Sequence, residues 1–168
     1  MITNFKIFED KRQLKKINFE WSNENGDIFK FKNISVYANY DYVPMAGVSQ
    51  VIRQYIKQKW KIPFQISSDS FSGGDSITVY LSPVKVEENV AKDVEIELKL
   101  IFTSGSFDGS DDSYNYKPTV FKISDGGKEY SFRTKFLSVN YEPKYGTKDW
   151  DAYLKWKEFR ETTNKFNL

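Results

Sequence analysis

Three groups of side chains have types and spacing that could support chemistry. Asp108, Asp111 and Asp112 share one short polar stretch, with Asp125 further along. Clustered carboxylates supply the hard oxygen ligands that Mg²⁺ or Ca²⁺ prefers, but this spacing is not the D-x-[DN]-x-[DN]-G run of an EF-hand loop and has no distal Glu. Asp108, Glu95 or Glu97 beside Lys99 would make a nuclease-like carboxylate–lysine set. Yet Glu95, Glu97 and Lys99 also read as the wet face of one alternating strand. The third group is Ser70-Phe71-Ser72-Gly73-Gly74-Asp75-Ser76. Successive N–H groups of a glycine-rich turn can cradle an anion, with Ser70, Ser72 and Ser76 as added donors. It lacks the GxxxxGK[ST] spacing and lies between strand patterns, so a hairpin turn explains it more simply. No metal site is expected from these groups.

The missing residue types exclude more. The 168 residues contain no His and no Cys. That removes disulfides, thiolate nucleophiles, zinc–cysteine and iron–sulfur sites, the Ser-His-Asp triad and the imidazole shuttle. No cofactor is expected, and the chain reads as a binding protein rather than an enzyme. Apolar runs such as Leu100-Ile101-Phe102 fall far short of the roughly 20 residues that cross a bilayer. The first residues carry no apolar signal segment, which favours a cytoplasmic protein without a membrane partner.

Binding surfaces are suggested by charge and by rings. The 25 basic and 23 acidic side chains give a net charge of +2, too little to announce a nucleic-acid binder. By segment, however, residues 1–61 carry +5, residues 62–127 carry −6 and residues 128–168 carry +3. Aromatic residues make up 17% of the chain, more than strand packing alone requires, so some should reach the surface. Trp150, Tyr153, Trp156 and Phe159 crowd the last helical segment and drift around its axis. Either that helix is sandwiched inside the domain or it offers a face to a partner or a second copy of the chain. The basic residues Arg53, Lys57, Lys59 and Lys61, with Lys11, Arg12, Lys15 and Lys16, could instead track phosphates. On that alternative reading Arg53, Lys57 and Lys61 act with Ser72, Gly73 and Gly74 as a nucleic-acid or nucleotide site.

The elements that must position these groups form one α+β domain over residues 1–168, a largely antiparallel twisted sheet with one central amphipathic helix and a C-terminal helix. Residues 1–43 alternate as an N-terminal hairpin region, turning at Asn23-Glu24-Asn25-Gly26-Asp27. From Pro44 to Trp60 the period changes: Val48, Val51, Ile52, Tyr55, Ile56 and Trp60 fall on one helical face, and Gln50, Arg53, Gln54, Lys57 and Gln58 mostly on the other. Strands are expected at Phe64–Ser67 and Ile77–Leu81 around the Gly73-Gly74 turn. Val94, Ile96, Leu98, Leu100 and Phe102 form the cleanest period-two run and predict a further strand. Thr103 to Lys117 reads as a polar loop, followed by strands at Thr119–Ile123 and Glu129–Asn140 joined by Asp125-Gly126-Gly127. The last helix occupies residues 148–162, running from Asp149 as N-cap to Arg160.

One stretch carries a family likeness. Gly47-Val48-Ser49-Gln50-Val51-Ile52-Arg53, then Lys57 to Ile66 with Pro63-Phe64, then Ser70-Phe71-Ser72-Gly73-Gly74, resembles a module of the large polyvalent protein-associated domains of phages and conjugative elements. The later Phe107-Asp108-Gly109 and Asp112-Ser113-Tyr114 are similar to that family's Phe-Asp-Gly and Asp-x-Tyr loop. The match covers about residues 45–120 of a module-like core at 45–140. The resemblance implies a protein that accompanies mobile DNA into a host cell and protects it, but carries across no catalytic residue. The expected function is a non-catalytic counter-defence protein that binds a host immunity protein or ribonucleoprotein, as an anti-CRISPR inhibitor does. The expected contacts are Trp150, Tyr153, Trp156 and Phe159, with Phe107, Asp108, Asp111 and Asp112.

Overall fold

The computed structural model describes residues 13–117 and 121–166. The expected strand pattern and basic residues before Gln13, and the start of the strand expected at Thr119, lie outside the described residues. Strands β1 (Leu14–Ser22) and β2 (Ile28–Tyr37) form the expected antiparallel hairpin. Its turn is tied by Asn23, whose Oδ1 accepts from the Asn25 and Asp27 amides. A bulge interrupts the pairing: Ile17 faces Ile34 but Phe19 faces Phe31, and Asn33 takes a φ of 55°. The Asn33 amide, displaced from the ladder, donates to Asn18 Oδ1 at 2.8 Å.

Helix α1 (Met45–Lys59) buries Val48, Val51, Ile52, Tyr55 and Ile56, as the sequence periodicity predicts. Its glutamines do something the sequence reading missed. Gln58 and Gln54 each accept from and donate to the backbone of one β2 residue, Lys30 and Lys32 respectively, at 2.8–2.9 Å. Gln50 accepts from the Ser35 amide at 2.8 Å. A helix can come this close to a strand because residue 47 is glycine; a Cβ there would stand 2.0 Å from the Ser35 carbonyl oxygen.

Strands β3 (Gln65–Phe71) and β4 (Gly74–Tyr80) pair antiparallel around the Ser72-Gly73 turn. The next element corrects the sequence reading. Val94 to Phe102 is not a strand but the C-terminal part of helix α2 (Glu88–Phe102). The helix buries Ala91, Val94, Leu98 and Phe102, spaced three and four apart, and leaves Ile96 67% and Leu100 74% exposed. The alternation of apolar residues was a coincidence inside a helical pattern, which Glu88–Lys92 and Glu95–Lys99 ion pairs at i, i+4 reinforce.

The stretch read as a loop contains a hairpin of β5 (Gly105–Asp108) and β6 (Ser113–Tyr116). Strands β7 (Phe121–Asp125) and β8 (Lys128–Phe132) pair around Gly126-Gly127, whose φ values are 56° and 80°. The long last strand expected at Glu129–Asn140 is broken after Phe132, and its second half, β9 (Phe136–Asn140), runs parallel to β4. The result is an α+β fold whose sheets are mostly antiparallel, with the three-stranded order β3-β4-β9. Between the sheets and helices lies one core, in which Phe29, Phe31, Tyr55, Phe102, Phe121 and Phe132 are buried. Burial of rings of this size supplies much of the apolar driving force. Helix α3 (Lys148–Phe166) ends the described chain. It starts one residue before Asp149, so Asp149 lies in its first turn, where a carboxylate favours the positive end of the helix. The Asp149 carboxylate pairs with Lys85 at 2.6 Å.

Candidate functional site

Helix α3 is 19 residues long, about 28 Å at 1.5 Å per residue, and none of its residues is buried. Among the described residues, therefore, no element sandwiches α3. Three rings line one stripe, Tyr153 and Trp156 stacked and Trp150 tilted against Tyr153. Trp150 and Tyr153 lie 5.5 Å apart between centroids, and Tyr153 and Trp156 lie 6.0 Å apart. Tyr145 meets Trp150 at one end of this ladder, and the Arg160 guanidinium lies 5.2 Å from the Trp156 ring at the other. Trp150, Tyr153 and Trp156 are half-buried, while Tyr145 is 81% exposed and Phe159, off the stripe, is 72% exposed.

The other group of expected contacts is held by the β5–β6 hairpin. Phe107 and Tyr114 are cross-strand partners, and Tyr116 pairs with Gly105, so the three rings share one face. That face rests on Phe136 at the start of β9, with Phe107 and Tyr114 at 6.4 and 5.9 Å. Phe71, at the end of β3, stacks on the same Phe136 at 5.9 Å. Phe71, Phe107 and Tyr116 remain 51%, 52% and 61% exposed. The hairpin turn carries Asp108, Asp111 and Asp112. Asp108 Oδ1 accepts from the Ser110 amide and hydroxyl at 2.9 and 2.7 Å, which holds its carboxyl below the usual carboxylate range. Asp111 caps Ser113 at 3.1 Å, and Asp112 adopts a left-handed φ of 56°.

The two groups do not form one surface. Gln65, Tyr80 and Asn140 stand in register at one end of the β3-β4-β9 sheet, and the Lys144 amide, four residues before α3, donates to Gln65 Oε1 at 3.1 Å. Phe71, Gly74 and Phe136 mark the opposite end, where the β5–β6 rings pack. Strands of five and seven residues separate them, roughly 16–23 Å at 3.3 Å per residue. The nucleic-acid alternative is divided in the same way. Arg53, Lys57 and Lys61 lie exposed on and just after α1, beside the start of β3, while Ser72, Gly73 and Gly74 follow its far end. Lys15 and Lys16 are engaged with Asp125 and Ser35.

The carboxylates expected on a strand face serve the helix pair instead. Glu95 pairs with Lys99. Glu97 points at α1, where Tyr55 Oη donates to its carboxylate, Lys59 Nζ approaches to 2.5 Å and Trp60 Nε1 to 3.3 Å. Burial, followed by the Glu97 carboxylate, pushes the Tyr55 phenol well above its ordinary value of 10.0. Among the described residues, no group of three or more acidic side chains converges to hold a metal ion, and no helix is long and apolar enough to cross a membrane. Two cavities measure about 180 and 160 Å³, below the roughly 300–1,000 Å³ of sites for drug-sized ligands. Tyr42, Asp75, Tyr116, Arg133 and Lys135 line the larger one. Phe71, Tyr116 and Phe136 were absent from the sequence-level site because residues so distant in the chain meet only through the fold. No protein-family model matches the sequence, and no curated protein or solved structure shows significant similarity to it.

Proposed function

We propose that this chain is a non-catalytic counter-defence protein of a phage or other mobile element, which binds and blocks a host immunity component in the host cytoplasm, as an anti-CRISPR inhibitor does. The observation that carries the reading is α3. Helices in proteins are held mainly by packing one apolar face, and α3 carries three rings in mutual contact while burying no residue. Trp and Tyr are the side chains that most often anchor a protein interface, so this face is suited to a host protein or ribonucleoprotein. The likeness of residues 45–120 to a module of polyvalent phage proteins supplies the biological context. The absence of His and Cys agrees with a protein that acts by occupying a surface.

The test is a phage-plating assay in cells that carry a defined CRISPR effector and a matching spacer, with the chain expressed in trans. Plating is expected to recover by orders of magnitude against at least one effector type. The double variant Trp150→Ala/Trp156→Ala should abolish that recovery without altering the circular dichroism or unfolding of the protein. Unchanged immunity across a panel of effector types, together with no binding of the purified effector complexes, overturns the reading.

A further inference from the structure

We infer that the end of the molecule formed by the β3–β4 turn and the β5–β6 hairpin is a docking surface for a basic, arginine-rich segment of a protein partner. The inference rests on the reading of the chain as a binding protein and adds the chemistry of what it binds. Phe71, Phe107 and Tyr116 are each more than half exposed and are linked through Phe136 and Tyr114 into one patch. Clustered exposed rings of this kind mark an interaction site rather than scattered surface hydrophobics.

The charge around the patch selects the occupant. Asp69 shares the strand face of Phe71, and Asp111 and Asp112 lie in the hairpin turn beyond Phe107, while Asp75 and Asp108 flank the patch from the opposite faces of their strands. Among the described residues, Arg133, Lys135 and Lys117, which follows Tyr116, are the cations beside the patch; Lys117 donates to the Leu100 carbonyl at 2.6 Å, and Lys135 is likewise committed to the chain itself. Its ammonium donates to the Gly73 carbonyl at 3.1 Å and stands 5.7 and 6.0 Å from the Tyr114 and Tyr116 ring centroids. Gly74 makes room for it, since a Cβ there would stand 2.6 Å from Lys135 Cδ. The rings therefore already carry one cation on their faces, inside a rim with more carboxylates than cations. Arginine satisfies both parts: its planar guanidinium stacks on rings and pairs with carboxylates through a fork of donors. A single-stranded nucleic acid would find rings to stack on, but its phosphates would meet the carboxylates of Asp69, Asp111 and Asp112 beside them.

The experiment is fluorescence anisotropy of a labelled nona-arginine peptide titrated with the full chain, beside nona-lysine and a poly-dT oligonucleotide. Nona-arginine is expected to bind more tightly than nona-lysine, and poly-dT more weakly than both. At exposed rings each cation contact carries roughly two- to fivefold in affinity. The variant Phe71→Ala/Phe107→Ala/Tyr116→Ala should thus weaken nona-arginine binding by about tenfold or more. Asp108→Asn/Asp111→Asn/Asp112→Asn should weaken it independently and flatten its salt dependence. Trp150→Ala/Trp156→Ala, at the other end of the sheet, should leave it unchanged, which separates failure of this inference from failure of the plating assay. Equal affinity of the ring variant and the parent, tighter binding of poly-dT than of nona-arginine, or no peptide binding overturns it. The carboxylate variant changes exposed turn side chains, so it keeps the test decisive should the ring variant fold poorly.

Discussion

Replacing Leu98 and Leu100 separately by Ala distinguishes the α2 helix from the strand that the sequence pattern suggests. On a period-two strand Val94, Ile96, Leu98, Leu100 and Phe102 all share one dry face, and the two substitutions cost alike. On the helix Leu98 is fully buried, whereas Leu100 is 74% exposed. Removing a buried leucine side chain to Cβ forfeits transfer free energy and leaves a cavity, together about 3–4 kcal/mol. For Leu100 only about a quarter of the side chain's surface leaves water. The loss is then about 0.5 kcal/mol of transfer, with no cavity, partly offset by the higher helix propensity of alanine. Urea unfolding followed by tryptophan fluorescence should place the Leu98→Ala midpoint about 1.5–2 M lower, for a slope near 2 kcal/mol/M. Thermal unfolding should fall by about 6–12 °C. Leu100→Ala should stay within about 0.5 kcal/mol of the parent. Equal, large losses at both positions would refute the helical placement and, with it, the position of Glu97.

The remaining expectations concern what the two packed helices share. Glu97→Ala removes the acceptor of Tyr55 and Trp60 and the partner of Lys59, and should cost about 2–3 kcal/mol in chemical unfolding; Glu97→Gln keeps an acceptor and should cost about 1 kcal/mol. A cost under about 0.5 kcal/mol for Glu97→Ala would remove the clamp from the account. Because the Tyr55 phenol is raised in the folded state, the unfolded chain releases that proton first. Its contribution is complete below about pH 10 and declines as pH rises further, by at most about 1.4 kcal/mol per unit. Stability measured between about pH 9 and pH 11 should fall less steeply in Tyr55→Phe, and identical slopes would refute the assignment. Gln54→Ala should accelerate hydrogen exchange of the Lys32 amide selectively, with the amides of Lys30 and Ser35 little changed; uniform acceleration across β2 would instead indicate general loosening.

Where local pattern and tertiary burial coincide, the sequence was readable. Val48, Val51, Ile52, Tyr55 and Ile56 form a helical stripe and all are buried. Asn23–Asp27 is a turn by composition and by structure, and the reversal expected at Gly73-Gly74 falls one residue earlier, at Ser72-Gly73, with Gly74 opening β4. The reading failed at α2 because V-E-I-E-L-K-L satisfies two periods at once. Ala91 and the Glu88–Lys92 pair upstream break the tie, and they lie outside the alternating run. At the candidate site, the rings of α3 were visible as a surplus, but that Trp150, Tyr153 and Trp156 align while Phe159 stands apart is a matter of side-chain stacking. The hairpin-end patch joins Phe71 to Phe136 through the β3-β4-β9 sheet, a long-range meeting that no local period encodes.

Gln50, Gln54 and Gln58 make one face of α1 serve β2 as a neighbouring strand would, and the match is a vernier. Four helical residues advance about 6.0 Å, whereas two strand residues advance about 6.6–6.8 Å. Two successive teeth fit, Gln58 on Lys30 and Gln54 on Lys32, before the mismatch accumulates. The third, Gln50, meets Ser35 after a step of three residues that contains the left-handed Asn33. The bulge thus resets the phase between two incommensurate rulers. A longer glutamine comb would need another such reset, so the length of helix that can stand in for a strand is set by arithmetic, not by the supply of glutamines. The same comb occupies the backbone groups through which an edge strand would recruit a foreign one. The β2 edge is thereby closed to strand addition, while the rings of α3 and of the β5–β6 hairpin stay partly open to solvent.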